Sequence, residues 1–231
     1  MKVIVTCEHG GNRIPKPYRE LFKGHEALLA THRSYDLGAL GYARKLAARL
    51  DAPLYSATTS RLLADLNRTP GHPRIFSEIT RFLDSTAKRA ILEKVHTPHW
   101  RKVHAAVQES LTAGQSVLHI ACHSFTPVLN GQVRAMDVGL LYDPARKAER
   151  RFCDLWKTAL AARAPALRVR RNAPYKGASD GLATYLRTLF PKAYLGIELE
   201  LNQRDFIENR PRWRTLCAEV IESLAATLRG G

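Results

Sequence analysis

Apolar residues along this chain alternate between two patterns, short runs rich in Val, Ile and Leu and longer stretches with helical spacing. The stretch from Tyr35 to Leu50 shows the second pattern clearly, because Leu and Ala recur there every three to four residues. The other predicted helices are Asp84 to Thr112 with an interruption near Pro98, Ala145 to Ala162, Asp180 to Phe190 and Pro211 to Leu228. The predicted strands are Lys2 to Thr6, Pro53 to Thr58, Ser116 to Ala121, Val138 to Tyr142, Leu167 to Arg171 and Tyr194 to Leu201.

Strands that alternate with helices predict an α/β fold whose parallel or mixed sheet is covered by helices on both faces. The 231 residues, 45% of them hydrophobic, suffice for one sizeable core, so residues 1–231 are interpreted as a single domain. Two stretches with turn chemistry, Thr69 to Pro73 and Ala173 to Ser179, are too short to be domain linkers. Because binding residues concentrate in loops on a rigid sheet, both are expected to form walls of a site.

The net charge is the unusual feature of the composition. Lys and Arg number 36 against 21 Asp and Glu, which gives a formal charge of +15. Such an excess suits either nucleic acid or a small anionic substrate. The basic residues are spread along the chain and form no basic tail, which favours solvated helix faces and substrate steering over a nucleic-acid footprint, without excluding nucleic acid.

The chain is expected to be cytoplasmic, with no membrane partner. No segment approaches the ~20 consecutive apolar residues of a membrane span, and the sequence begins with a strand-like run instead of a charged and then apolar leader. The cysteines lack CxxC spacing and are too few for a disulfide framework, which predicts reduced thiols. They are Cys7, Cys122, Cys153 and Cys217.

Two histidines follow predicted strands, at the end where ligands collect in open α/β sheets. His9 lies in the block Cys7 to Asn12, whose glycine pair permits close backbone approach, and His123 follows the run Val117 to Ile120. Both histidines suit a metal site, but a solvent-facing turn residue at 9 and a satisfied core residue at 123 remain open. His119 competes with His123, because both share one face if the strand continues that far.

A catalytic zinc site commonly uses three protein ligands, and Asp36 is the carboxylate that would complete a set with the two histidines. Asp36 fits equally well as the cap or first-turn acid of the helix that follows it. Asn12 and Glu8 are further candidates for the third ligand. The amide of Asn12 is the weaker one, since neutral amides are poor zinc ligands beside a carboxylate.

A third motif, which contains Arg61, Asn67 and Arg68, has the side chains needed to bind an anion. Guanidinium groups bind carboxylates through two parallel hydrogen bonds, so Arg61 and Arg68 can grip a substrate carboxylate, and Asn67 can complete the recognition. The segment Asp65 to Arg68 is equally typical of an Asx turn that carries a surface arginine.

Two glutamates lie on the last predicted strand. Alternation puts Glu198 and Glu200 on one face and the neighbouring Ile and Leu residues on the other. A carboxylate at the end of a buried strand can act as a general base, and Glu198 is assigned this role, with Glu200 as the alternative. A half-exposed edge strand with both acids in solvent is the competing interpretation.

In order along the chain, these motifs resemble those of the N-formylglutamate amidohydrolase family, and more distantly those of the aspartoacylase and zinc carboxypeptidase group. The resemblance extends from the first strand to about residue 204. The blocks that carry it are Glu8-His9-Gly10-Gly11, Tyr35-Asp36-Leu37-Gly38, Ser60-Arg61 with Asp65-Leu66-Asn67-Arg68, His123-Ser124-Phe125-Thr126-Pro127, Pro174-Tyr175-Lys176-Gly177 and Gly196-Ile197-Glu198.

The resemblance implies a three-layer α/β/α fold with a mixed central sheet, of the phosphorylase/hydrolase-like and zinc exopeptidase-like kind. It implies one catalytic zinc ion and hydrolysis of a small anionic N-acyl amino acid such as N-formylglutamate, with His9 and His123 as ligands and Glu198 as the base. Asn12 stands where carboxypeptidase-like proteins have a Glu three residues after the first ligand, so the third ligand stays open, with Asp36 as a candidate to replace that glutamate. The residues implied to contact substrate are Arg61, which can also polarise the carbonyl, Asn67, Arg68, Tyr175 and Lys176.

The rival interpretation is a basic binding protein on the same fold that has lost activity and binds nucleic acid or another anion. Other reaction classes are disfavoured by motif. The chain has no GxSxG, no GxxxxGK[ST] and no GxGxxG, the signatures of a serine hydrolase, a phosphate-binding loop and a dinucleotide site.

Overall fold

The computed structural model describes residues 1–230, and a six-stranded sheet forms its centre. The strands of the described residues are β1 (Lys2–Cys7), β2 (Leu54–Ser56), β3 (Val117–Phe125), β4 (Val128–Leu129), β5 (Gln132–Val133), β6 (Val138–Leu141), β7 (Val169–Arg171) and β8 (Tyr194–Asn202). The order across the sheet is β2-β1-β3-β8-β6-β7, and β4 and β5 form a separate hairpin. The first four strands of this order are parallel and β6 is antiparallel to β8, so the sheet is mixed. All six predicted strands are present.

Helices cover both faces of the sheet. They are α1 (Glu26–Leu29), α2 (Ala39–Arg49), α3 (Ser85–Ile91), α4 (Thr97–Thr112), α5 (Lys147–Arg163), α6 (Leu182–Leu189), α7 (Arg204–Glu208) and α8 (Arg210–Gly230), with a 3₁₀ segment at Lys16–Phe22. The core on one face contains α2, α5 and α8, and the core on the other contains α4 and α6. The predicted three-layer α/β/α fold with a mixed sheet is therefore confirmed. Within residues 1–230, no helix combines the length and the apolar character that a membrane crossing requires.

The predicted interruption near Pro98 is a π-helical turn, Leu92–His96, between α3 and α4. Pro98 has no backbone N–H and cannot bond the carbonyl of Lys94, so the helix widens just before the proline instead of ending. The short helices α1 and α7 were not predicted, because a single turn holds too few residues to show a helical period.

Strand β3 runs four residues past the predicted end at Ala121. The added residues include the polar His123 and Ser124, yet the whole strand is buried. The pairing with β1 ends at Ala121, but β8 pairs with the β3 backbone as far as Phe125. The polar side chains find partners, such as the carbonyl of Leu37 for the Ser124 hydroxyl at 2.8 Å. Satisfied polar groups can be buried at low cost, so tertiary pairing extends the strand.

The strand order creates a crevice at the carboxyl ends of β1 and β3. The chain leaves β1 toward β2 through α2 on one face and reaches β3, on the other side of β1, through α4 on the opposite face. Loops diverge at such a reversal of strand order, and ligands bind there. His9, just after β1, and His123, near the end of β3, both lie at this place.

A buried ion pair ties the strand that carries the two glutamates to a loop of the crevice. Arg187 donates from Nε to Glu149 at 3.0 Å, from Nη1 to the carbonyl of Gly177 at 2.6 Å and from Nη2 to the carbonyl of Gly196 at 2.7 Å. The Arg187 side chain is 5% exposed and that of Glu149 is 0% exposed. The pair is therefore shielded from solvent and satisfied by several hydrogen bonds.

We expect Arg187→Met to lower the free energy of unfolding by about 3–5 kcal/mol, because it leaves Glu149 with an uncompensated buried charge. Arg171→Met is the matched control, since the Arg171–Asp154 pair is exposed on both sides and should contribute about 0–1 kcal/mol. Urea unfolding of both variants measures the difference. Equal losses in the two variants would show that the buried pair has no special role in stability.

Candidate metal and substrate site

Three buried side chains converge at the crevice. Nδ1 of His123 lies 2.9 Å from Oδ2 of Asp36, and Nδ1 of His9 lies 3.5 Å from the same oxygen. One ligand atom from each residue lies within 4.8 Å of the others. No second group of this kind occurs among residues 1–230. The three residues are the ones that the sequence analysis proposed as metal ligands, and their geometry could hold a metal ion.

The His9 ring nitrogen that does not face Asp36 contacts the carboxylate of Asp65. Nε2 lies 2.7 Å from Oδ1 of Asp65. Burial, and then the charge of Arg61, lower the pKa of His9 to about 4, so the ring is neutral near pH 7. Burial alone would raise the pKa of Asp65, but His9, Arg61 and Arg68 together hold it well below its usual range. A neutral ring that donates from Nε2 to Asp65 keeps the Nδ1 lone pair directed at Asp36.

One polar atom of this arrangement has no partner. Nδ1 of His9 is buried and has no hydrogen-bond partner. It faces Oδ2 of Asp36, so two electron-rich atoms lie opposite each other in a buried place. A metal ion held between the two atoms, or a hydrogen on Nδ1, would make this contact favourable. Two imidazole nitrogens and one carboxylate are also a donor set that divalent transition metals favour, so the residues fit a metal ion.

Asp36 is not a helix cap. Its carboxylate contacts His123 and pairs with Arg61, whereas the N-cap of α2 is Gly38, at a φ of 80° and without a side-chain hydrogen bond. A side chain at Gly38 would come within 2.5 Å of Phe206, so both the left-handed backbone and the space require glycine. The cap interpretation of Asp36 is therefore wrong.

The other two candidates for the third ligand lie elsewhere. Asn12 is exposed, and its amide donates to the carbonyl of Leu29 at 3.0 Å. Glu8 is fully buried but faces Nε2 of His123, which is the ring nitrogen directed away from Asp36. Neither residue belongs to the converging group.

The glycine pair after His9 is required for close approach. A Cβ atom at Gly10 would lie 2.8 Å from the carbonyl oxygen of Ala57, and one at Gly11 would lie 2.8 Å from that of Thr58. The backbone N–H of Gly10 donates to Ala57 at 3.0 Å. Neither glycine has a positive φ. Only glycine lets this loop pack against the chain after β2 and turn His9 inward.

The segment Asp65 to Arg68 forms an Asx turn and also lines the cleft. The backbone N–H of Asn67 donates to Oδ1 of Asp65 at 2.9 Å, as an Asx turn requires. Arg61 pairs with Asp36. Nη1 of Arg68 donates to the backbone carbonyl of Asp180 at 2.6 Å. The Asx turn thus directs the side chains of Asn67 and Arg68 into the crevice. An Asx turn and a substrate-binding segment, the two interpretations of this sequence, are therefore compatible.

Both glutamates of β8 face the cleft. β8 lies between β3 and β6, so the edge-strand interpretation is wrong. Glu198 accepts a hydrogen bond from Nδ2 of Asn67 at 3.1 Å. Glu200 is paired with His123 across the sheet and is 6% exposed. Its Oε2 has no hydrogen-bond partner. Burial raises the pKa of Glu200 to about 7, with a further rise from Glu198 and an opposing effect of His123.

The cleft has a volume of about 620 Å³, within the range usual for small-molecule sites. Tyr175 and Lys176, both exposed, lie at its wall, as does the 72–74 segment. The residue that follows the second predicted loop ties it to the first, because Asp180 accepts hydrogen bonds from the backbone and the hydroxyl of Thr69 at 3.1 and 2.6 Å.

The sequence did not indicate Asp65, which lines the cleft, or Arg134, which contacts Tyr175 at the wall of the cleft. Arg134, after the β4–β5 hairpin, donates to the Tyr175 hydroxyl at 3.1 Å, and nothing in its sequence context indicated this contact. Asp65 was treated only as a turn residue. Its position two residues before Asn67, in a block already thought to face the site, is the signal that could have identified it.

Residues 1–206 match the model of a protein family described as N-formylglutamate amidohydrolase. The chain belongs to the N-formylglutamate amidohydrolase family. Membership confirms the resemblance seen in the sequence and supports an amidohydrolase as the class of activity.

Two solved structures are similar over nearly the whole chain. Gene product Atu2144 from Agrobacterium tumefaciens is 30% identical, with a TM-score of 0.84 over 99% of this chain and 91% of that one. N-formylglutamate amidohydrolase from Ralstonia eutropha JMP134 is 17% identical, with a TM-score of 0.73 over 100% of this chain and 95% of that one. A comparison with curated proteins found no match. At 17% identity, the second structure shows a shared fold.

Proposed function

We propose that this family member is a zinc-dependent amidohydrolase that cleaves the amide bond of a small N-acyl amino acid, such as N-formylglutamate. The observation that carries the proposal is the convergence of His9, Asp36 and His123 at a polar cleft of small-molecule size. Family membership supplies the reaction class, and the cluster supplies a place for the ion. The cationic side chains around the cluster favour an anionic substrate.

The metal would be held by the three converging side chains. Their imidazole nitrogens and carboxylate oxygen match the ligands of catalytic zinc sites. A bound zinc ion would supply Lewis-acid chemistry, lowering the pKa of a water molecule and polarising the amide carbonyl. The contact of His9 with Asp65 orients the ring for this role, because Nε2 is held as a donor.

Glu200 is our proposed general base. Its side chain lies opposite His123 in the strand pairing, and Oε2 is free of hydrogen bonds. Glu198, the residue assigned from the sequence, is the alternative, but one of its oxygens accepts from Asn67. The base removes a proton from the attacking water, whose oxygen bonds to the carbonyl carbon. As the C–N bond breaks, the same carboxyl group returns the proton to the leaving amine.

The arginines divide the recognition of substrate. Arg61 pairs with Asp36, so it lies beside the proposed metal and is suited to stabilise charge on the carbonyl oxygen. Arg68 is anchored through Nη1 to the carbonyl of Asp180, which leaves the rest of its guanidinium group for a substrate carboxylate. Asn67 is held in place by Glu198, and Tyr175 and Lys176 extend the polar wall.

Hydrolysis of N-formyl-L-glutamate and N-acetyl-L-glutamate, with and without zinc, tests the proposal directly. Arg68→Lys should lower kcat/KM by about 10- to 100-fold, since an ammonium group cannot make the planar two-point contact and a charged hydrogen bond contributes about 1.5–3 kcal/mol. The exposed Arg89, on α3, provides the control Arg89→Lys, which should leave kcat/KM unchanged.

The rival nucleic-acid function gives different results in the same series. Arg68→Lys would preserve binding to DNA or RNA, because phosphate neutralisation depends chiefly on charge, and affinity would fall steeply with salt. Absent hydrolysis together with salt-sensitive nucleic-acid binding would replace the proposed function with this rival.

A further inference from the structure

A buried carboxylate lies behind His123, on the side away from the proposed metal. Glu8 is 0% exposed; its Oε2 lies 3.3 Å from Nε2 of His123, and its Oε1 lies 3.7 Å from Nε2 of His99 on α4. Strand alternation explains the position, because Glu8 directly precedes His9 and its side chain is directed toward the α4 layer. The function proposed above does not use Glu8 or His99.

Glu8 needs the two histidines as donors. Neither of its oxygens has an aligned hydrogen bond, and Nε2 of His99 and Nε2 of His123 are likewise buried without one. A carboxylate transferred out of water is costly unless N–H groups or cations face it. In the structure the two imidazole nitrogens are the groups that face its oxygens. The favourable arrangement therefore has a hydrogen on each of these nitrogens, directed at Glu8.

The placement of that hydrogen determines what His123 can do on its other side. A neutral imidazole carries one N–H, so a hydrogen on Nε2 leaves Nδ1 with a free lone pair. Nδ1 lies 2.9 Å from Oδ2 of Asp36, at hydrogen-bond distance, so a metal ion held by both atoms would take the place of the hydrogen between them. We propose that Glu8 is a positioning residue that holds His123 as the Nε2–H tautomer for metal binding, and that His99 holds Glu8 in turn.

His9 has a comparable contact, because Asp65 lies against its Nε2 and leaves Nδ1 for the proposed metal. Each of the two histidines thus contacts its own carboxylate, which is fully buried for Glu8 and 16% exposed for Asp65. Glu8 is not a third ligand or part of a second metal site, because the only converging group of ligand atoms within residues 1–230 is His9, Asp36 and His123. The inference rests on the proposed zinc site.

Glu8→Gln tests the role of the carboxylate with little change of shape. We expect zinc affinity, measured by competition with a chromophoric chelator, to fall by about 10- to 100-fold, the usual effect of losing an outer-shell partner. The control is His119→Gln, because His119 is buried on the same strand as His123 but bonds Thr6 and Tyr194 instead. This control should lower the melting temperature while keeping zinc affinity within about threefold of the parent.

The outcomes separate the inference from the function on which it rests. A parent protein that binds no zinc overturns both. A parent that binds zinc while Glu8→Gln binds it equally well overturns the positioning role alone. If Glu8→Gln does not fold, ¹⁵N NMR of the zinc-loaded parent decides, since the His123 ring should show a slowly exchanging hydrogen on Nε2, and an Nδ1–H tautomer would refute the inference.

Discussion

Glu200→Gln should reduce kcat for N-formylglutamate hydrolysis by about 10²- to 10⁴-fold, the usual contribution of a positioned general base. Gln keeps the size and hydrogen-bonding capacity of Glu but cannot accept a proton from water. The side chain lies inside the cleft on a fully paired strand, so the substitution should leave the fold intact. Zinc content and KM should stay close to those of the parent, because a base acts in the transition state.

Glu198→Gln is the matched control, since the two carboxylates share one strand and one face. Glu198 accepts a hydrogen bond from Asn67, one of the residues proposed to bind substrate, so we expect a raised KM with a smaller change in kcat. Stopped assays over a range of substrate concentrations separate the two constants. If Glu198→Gln shows the large loss of kcat and Glu200→Gln keeps a kcat close to that of the parent, the base is Glu198, as predicted from the sequence.

Alanine at His9 or at His123 should lower zinc affinity by more than about 100-fold, because each change removes a proposed ligand atom. This loss is larger than the one expected for Glu8→Gln, which removes only a partner of a ligand. Hydrolysis should fall in parallel with metal occupancy. Removing zinc from the parent with a chelator should abolish hydrolysis, and added zinc should restore it. Elemental analysis of purified protein and chelator competition give the occupancy and the affinity.

A buried histidine outside the group makes this experiment specific. His119→Gln removes an imidazole from the same strand as His123 without touching the converging group, so it should retain zinc. Circular dichroism shows whether each variant keeps the fold. Full zinc content in folded His9→Ala and His123→Ala proteins would show that the metal site has been assigned to the wrong residues.

Local sequence patterns determined the elements of this fold. Burial on one or two faces repeats with the period of a strand or a helix, so the six strands and five longer helices could be recognised from residue spacing. The positions of His9 and His123 at the site follow from the same rule, because parallel strands bring their carboxyl ends to one edge. The motif order also led to the correct family.

Only the tertiary structure decided which polar side chains meet. The sequence left Asp36 between a ligand and a helix cap, and its contact with His123 depended on the distance between two segments that lie 87 residues apart. It placed both β8 glutamates on one face, but their partners come from other parts of the chain. The position of Glu8 behind His123, like the contact of Asp65 with His9, arises from packing across strands and loops. Such long-range contacts leave no periodic signal in the sequence, because they depend on how the elements pack.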